Sequence, residues 1–451
     1  MSSDLNIKQY YCCFIKEQSF YCNDPQLPMK LSATLLILAS FRFSSSNSQV
    51  IQNLTDANLN ATSPQFNYTE VTPDNNQVTD LNGGNQVTPV NDTLTQSGTS
   101  LGGGVVTLTN VEYYADLSLD VRDIQEQIDY NNLDEALRLY LEGRNAETLP
   151  GVKLSIHNLN KALALKDAKD STPPFIYHLW GLSGRDLTQI NANSRYAANY
   201  VQLALSSSPK YATHGMVALN MWMYAAHVLL QGVQVCQKLT VADNPLAFKL
   251  GGGGMDEFIA VWIGQNQIHG TVDGYGLYAM AQRAGELFGK SDPEAQVNTN
   301  LKLLYYEGVS ALTFPNACSR RNPSTAGQLW NVAQRIVSQM YIPLMQLLID
   351  ALIQEDMEGV HLYALAIVPQ ISQCKPSLFK RLKELLLNGS PDFSMTRFII
   401  EDLQASYDCL GITCADIGVY MVDQLAACSD KPANLPIAEY APTSFVNDVS
   451  T

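Results

Sequence analysis

The chain has 451 residues, 46% of them hydrophobic and 16% charged, which is enough apolar sequence for one to three globular domains. Its formal net charge of −15 and the absence of any basic patch exclude a nucleic-acid partner, because phosphate binding needs clustered Lys and Arg. An acidic surface is compatible with cation capture, although acidity also serves solubility alone.

Residues 1–45 read as a non-native extension followed by a signal peptide. The apolar run Leu31–Ser40 is too short to span a bilayer, is preceded by Lys30, and has the character of a signal h-region if translation starts at Met29. Removing this leader removes Cys12, Cys13 and Cys22. The six cysteines left, Cys236, Cys318, Cys374, Cys409, Cys414 and Cys428, are an even set suited to three disulfides of undetermined pairing. Cys409 and Cys414 lack a second Cys pair or a nearby His, so a zinc site is disfavoured.

Residues 46–112 are rich in Asn, Thr, Ser and Gly, cannot bury a core, and are expected to be a disordered, glycosylated linker. Sequons stand at Asn53, Asn60, Asn67 and Asn91, and a fifth at Asn388. From Asp116 onward, apolar residues recur at helical spacing. Leu117, Val121, Ile124 and Ile128 form one stripe; Asn132 caps a second that Gly143 ends; further helices are expected over 154–165, 194–205 and 213–236. Strand alternation is absent. The Gly251–Gly254 run divides an N-terminal helical half, 113–250, from a C-terminal helical domain, 251–428, and 429–451 is a polar tail without a membrane anchor. The expected fold is therefore all-α, two antiparallel helical bundles behind a disordered N-terminal segment.

Within 251–428, Asp256 and Glu257 open a helix that Gly264 ends, and Leu277 to Phe288 form its hairpin partner, closed by Gly289. Val297 to Leu312 make another helix. Thr325 and Gln328 form a capping box for a helix that Pro343 should kink. Leu362–Val368 is apolar on every side, a buried helix, and helices over 378–387 and 395–410 finish the chain.

No nucleophile elbow, zinc-protease motif, phosphate loop or dinucleotide fingerprint occurs, so an enzyme is not expected. The constellation that does carry chemistry is Glu355, Glu358 and His361. Glu358 and His361 share one helical face, as in carboxylate-bridged di-iron bundles, with Glu355 just before them. A hard cation such as Fe(III) suits carboxylate, phenolate and imidazole donors. The competing reading is an acidic helix start that favours the helix dipole, with His361 at the core edge. Asp256 and Glu257 pose the same alternative. Tyr275, Tyr278, Tyr305 and Tyr306 are phenolate candidates that otherwise serve as packing aromatics.

The segments DEFIAVWIG, LYAMAQRAGELFG, VNTNLKLLYYEG, VSQMYIPLMQ, EGVHLYALAIVP and YDCLGITCADIG, in this order over Asp256–Gly418, resemble the low-iron-inducible periplasmic (iron-assimilation) proteins of algae, a family that includes the phytotransferrins. The resemblance implies a secreted or periplasmic-type protein that captures ferric iron for membrane uptake machinery. It also implies carboxylate ligands of the E-x-x-E kind; Arg283 is a candidate to hold a carbonate anion, as in transferrin-like chemistry, and is otherwise a surface cation. A histidine at position 361 is not part of that pattern. The alternative is a structural or interaction protein of the cell surface with the same helices and no metal.

Overall fold

A computed structural model describes residues 13–16, 19–22, 98–149, 151–159, 196–242, 253–314, 316–372, 374–388 and 391–421. The chain divides into two compact units, residues 1–90 and 91–451. In the first, the described residues are an antiparallel hairpin, β1 (Cys13–Lys16) with β2 (Ser19–Cys22). The expected signal h-region, the polar tail and the sequons at Asn53, Asn60, Asn67 and Asn91 lie outside the described residues. Asn388 is described and exposed.

In the second unit the described residues are mostly helical, as the turn-spaced stripes require. A short hairpin, β3 (Ser100–Leu101) and β4 (Val105–Val106), leads into α1 (Glu112–Ala115), α2 (Leu117–Asp129) and α3 (Leu133–Glu142). A second hairpin, β5 (Glu147–Leu149) with β6 (Val152–Lys153), follows, then a 3-10 turn at Ile156–Asn158. After these come α4 (Tyr196–Ser207), α5 (Ala212–Gly215), a π-helical stretch Met216–Met221, and α6 (Trp222–Ala242). The remainder is α7 (Gly253–Ile263), α8 (Leu277–Leu287), α9 (Gln296–Thr313), α10 (Ser324–Ile353), α11 (Met357–Ile367), α12 (Pro376–Leu386), α13 (Thr396–Gln404), α14 (Tyr407–Leu410) and α15 (Cys414–Ile417).

The 30-residue α10 is the central element. It packs against α6, α8, α9 and α11, and nineteen of its residues from Thr325 to Leu352 are buried. It runs on through Pro343, which lacks the N–H that Gln339 would otherwise receive. On the other side of α6 lies α7, so the two halves expected on either side of Gly251–Gly254 share one hydrophobic core, from Leu101 to Tyr420. Two helical stretches, Pro209–Leu239 and Ser324–Ile353, are long and apolar enough to cross a bilayer, so 31–40 is not the sole apolar candidate. Both are packed inside this core, 83% and 78% buried.

Several expectations need correction. The last part of the linker expected to be disordered, 98–112, is ordered: Leu101, Val105 and Val111 are buried in the core. The segment expected to be helical from 154 begins instead just after a hairpin, with Leu154 and Ser155 outside regular structure and a 3-10 turn at Ile156–Asn158. Thr325 does not cap α10. It lies within the helix with its hydroxyl buried and unpartnered. A capping box does occur at Thr413 and Asp416, where α15 begins. Asn132 precedes α3 but gives it no side-chain cap; its amide donates to Gln127 instead, 2.9 Å away.

Two disulfides are described. Cys236–Cys318 joins α6 to the loop between α9 and α10, and Cys374–Cys409 joins the start of α12 to α14. Cys414 is disulfide-bonded as well. Such bonds persist in oxidising compartments outside the cytosol.

Candidate functional site

The first turn of α7 carries Asp256 and Glu257, and the two side chains leave the helix toward different partners. Asp256 is fully buried. Its Oδ2 accepts from the Thr109 backbone N–H at 2.8 Å and from the Thr109 hydroxyl at 2.7 Å, and its Oδ1 accepts from the Tyr305 hydroxyl at 2.6 Å. Three donors from neutral groups offset the desolvation of this carboxylate. The residue is therefore an anchor for the hairpin that precedes α1, and the expectation that it is a metal ligand is not supported by its surroundings.

Glu257 turns toward α1 and α6. Its carboxylate accepts from the Tyr224 hydroxyl on α6, and the Tyr114 phenol on α1 lies beside it and favours its ionised form. The Tyr114 ring lies 6.5 Å from that of Tyr224 and 4.5 Å from that of Tyr113. Burial pushes the Glu257 carboxyl up to about 7, against the pull of the two tyrosine phenols. Burial also raises the Tyr114 and Tyr224 phenols well above their ordinary value, and the neighbouring Glu257 raises them further. Three oxygen donors, one carboxylate and two phenols, thus gather where Tyr224 is buried and Glu257 and Tyr114 are half-buried.

The second place named by the sequence is the start of α11. Glu355 is exposed, at the end of the turn after α10, with φ of 55°. Asp356 is the N-cap: it accepts from Gly359 N at 3.2 Å and from the Tyr211 hydroxyl. Glu358 is exposed and accepts from the Ser208 hydroxyl. His361 is exposed, its ring centroid 6.3 Å from that of Tyr200. Arg283 is an exposed residue of α8 whose charge is felt by His214 and Tyr363, so it belongs to this end of the molecule and does not meet Glu257. Burial, reinforced by Arg283 and Lys210, pushes the His214 imidazole down to about 4, and its Nδ1 is buried without a partner.

The two candidate ligand groups therefore stay apart, Asp256 and Glu257 on α7 and Glu355, Glu358 and His361 around the start of α11. Among the described residues, no three His, Cys, Asp or Glu side chains converge to hold a metal ion. Of the tyrosines named from sequence, Tyr305 serves Asp256, Tyr278 donates to Glu294 at 2.6 Å, Tyr306 accepts from Val106 N at 3.4 Å, and Tyr275 is 42% exposed. Tyr113, Tyr114 and Tyr224, which gather at Glu257, were not singled out. The only signal for them was a Tyr-Tyr pair at the edge of the Asn- and Thr-rich segment.

Comparison with protein families, curated proteins and solved structures finds no match for this chain. What the site can do must be argued from its own chemistry. A carboxylate and two phenolates are hard, anionic oxygen donors once deprotonated, and such a set suits a trivalent ion better than zinc or copper(I). The donor set fits ferric iron. The start of α11 offers one imidazole and exposed carboxylates, a softer and wetter set.

Proposed function

We propose that this is a secreted, non-enzymatic protein that binds ferric iron outside the cell and delivers it to membrane uptake machinery, with Glu257, Tyr114 and Tyr224 as protein ligands. The observation that carries the reading is the half-buried gathering of one carboxylate with two phenols between α1, α6 and α7. The resemblance of Asp256–Gly418 to algal iron-assimilation proteins and the disulfides of an oxidising compartment support the same reading. An anion such as carbonate would complete the coordination that three protein ligands leave open. Loading requires the site to release its protons, so affinity rises with pH through neutrality.

Ferric citrate titration of the full secreted chain tests this. Bound iron should give the visible charge-transfer absorption of phenolate–Fe(III). Tyr224→Phe and Tyr114→Phe should each weaken that band and cut affinity by about tenfold or more, the scale of one lost strong ligand. Glu358→Gln with His361→Ala should leave it unchanged. If that double substitution removes iron and the tyrosine variants do not, the ligands are at α11.

A second reading has its own observation. Asp256, Asp356 and Glu358 are each already engaged by hydroxyl or N–H donors of the protein, as expected of structural carboxylates. On this reading the chain is a cell-surface structural or interaction protein without metal. Absence of iron from protein purified without chelators, together with absence of the band on titration, would select it.

A further inference from the structure

The two neighbouring carboxylates of α7 divide their work in a way that links them. The chain from Gly98 to Val111 forms a strap closed on itself by Thr107 N to Thr99 O at 3.0 Å and Thr99 N to the Thr107 hydroxyl at 3.0 Å. Lys302 holds its turn by donating to Gly103 O at 3.1 Å, and Tyr306 holds Val106. The last anchor before α1 is Thr109 on Asp256. At the other end of α1, Gln265 N, just past α7, donates to Ala115 O at 3.0 Å. The short helix with Tyr113 and Tyr114 is thus pinned along α7 at both ends, with Glu257 beneath it.

We infer that Asp256 is a positioning residue for this cluster: by clasping Thr109 it fixes the strap and so sets Tyr114 and Tyr113 against Glu257. Its importance for function rests on the iron reading above, but the geometry is a property of the metal-free chain. Asp256 is fully engaged by protein donors, and the Thr109 clasp is the strap's one hydrogen-bonded attachment to α7 itself among the described residues. Four helical residues cannot hold their own register, so α1 depends on what pins it.

The experiment uses the full chain without metal, and follows amide hydrogen exchange over residues 109–115 and the ultraviolet difference spectrum of tyrosines that donate to a carboxylate. Thr109→Val removes the hydroxyl donor, and Asp256→Asn replaces an acceptor oxygen with an amide that faces the Thr109 N–H. Each should raise exchange over 109–115 by about tenfold, the scale of one charge-assisted hydrogen bond. Thr109→Val should also shift the tyrosine spectrum toward free phenol; Asp256→Asn shifts it in any case through Tyr305, which donates to Asp256, so the spectral arm is read on Thr109→Val. Thr109→Ser keeps both donors and should behave as the parent. Should Asp256→Asn fail to fold, the milder Thr109→Val carries the test. Faster exchange with an unaltered tyrosine spectrum would overturn the inference, leaving Asp256 as a strap anchor with no hold on the cluster. A chain that shows these changes but takes up no ferric iron would sink the iron reading and leave the positioning role standing.

Discussion

Glu257 and His214 are half-buried in the same fold and respond to pH in opposite senses. The Glu257 carboxyl is raised to about 7, so between about 4.5 and 7 the native state keeps a proton that the unfolded chain has released, and stability falls as pH rises through that window. The His214 imidazole is lowered to about 4, so between about 4 and 6.5 the unfolded chain takes up a proton that the native state refuses, and stability falls as pH drops. Each effect is on the order of 3 kcal/mol at full extent. Over their common range they oppose each other and flatten the profile. Glu257→Gln keeps an acceptor for the tyrosines but removes one of the two slopes. The variant should gain stability relative to the parent above pH 7 and lose it more steeply on acidification, as urea unfolding from pH 4 to 8 would show. A variant whose profile runs parallel to the parent's would mean that Glu257 is not buried as described. Little at this scale was legible beforehand. The spacing of Glu358 and His361 does place them on one helix, but Ser208, Tyr211 and Tyr200, which engage that end of α11, are distant in sequence. Glu257 was named for its place in a first turn; its tyrosine partners follow from packing that a linear reading does not contain.

Elements that assemble from their own periodicity were readable, and those that depend on distant partners were not. The stripes of α2, α8, α9 and α11 lie where turn-spaced apolar residues put them, and Gly143, Gly264 and Gly289 end helices with φ of 74°, 77° and 62°. The strap at 98–111 has no such pattern. Its few apolar residues, Leu101, Val105 and Val111, are set among Gly, Thr and Asn, and its order comes from Asp256, Lys302 and Tyr306. The requirement for Gly102 is steric: a Cβ there would lie 2.3 Å from the Gln267 carbonyl oxygen, a backbone atom that cannot turn aside. Gly102→Ala should therefore unseat the strap turn, at a cost of roughly 1–3 kcal/mol. On the iron reading it should also weaken the ferric absorption band, since the strap leads directly into α1. Thermal melting and iron titration of that variant, compared with Gly104→Ala, separate the steric effect. At Gly104 a Cβ would meet nothing within 4 Å, though its φ of 79° still imposes backbone strain. Equal behaviour of Gly102→Ala and the parent would show that the strap turn yields easily.

At the scale of the whole molecule, the Gly-rich run at 251–254 reads as a boundary in the sequence, because glycines commonly mark linkers. The packing makes it a connection within one body: α6 and α7, on its two sides, lie against each other, and Trp222 of α6 donates to Met340 O of α10 at 3.0 Å. The Cys236–Cys318 bond crosses the same boundary, closing a loop with a sequence separation of 82. A cross-link over that length constrains the unfolded chain by about 4.5 kcal/mol in the chain-entropy account. If residues 98–421 unfold as one cooperative body, the double substitution Cys236→Ala and Cys318→Ala should move a single transition downward. It should not expose a second one. If instead 113–250 and 251–428 were independent, loss of this bond would release two transitions, each with its own midpoint. Calorimetry of the parent and the double variant decides between them, and agreement of the calorimetric with the van't Hoff enthalpy is the criterion for one body. The consequence reaches the candidate site: Tyr224 is contributed from one side of the boundary and Glu257 from the other, so the cluster holds its geometry only while the two halves remain a single core.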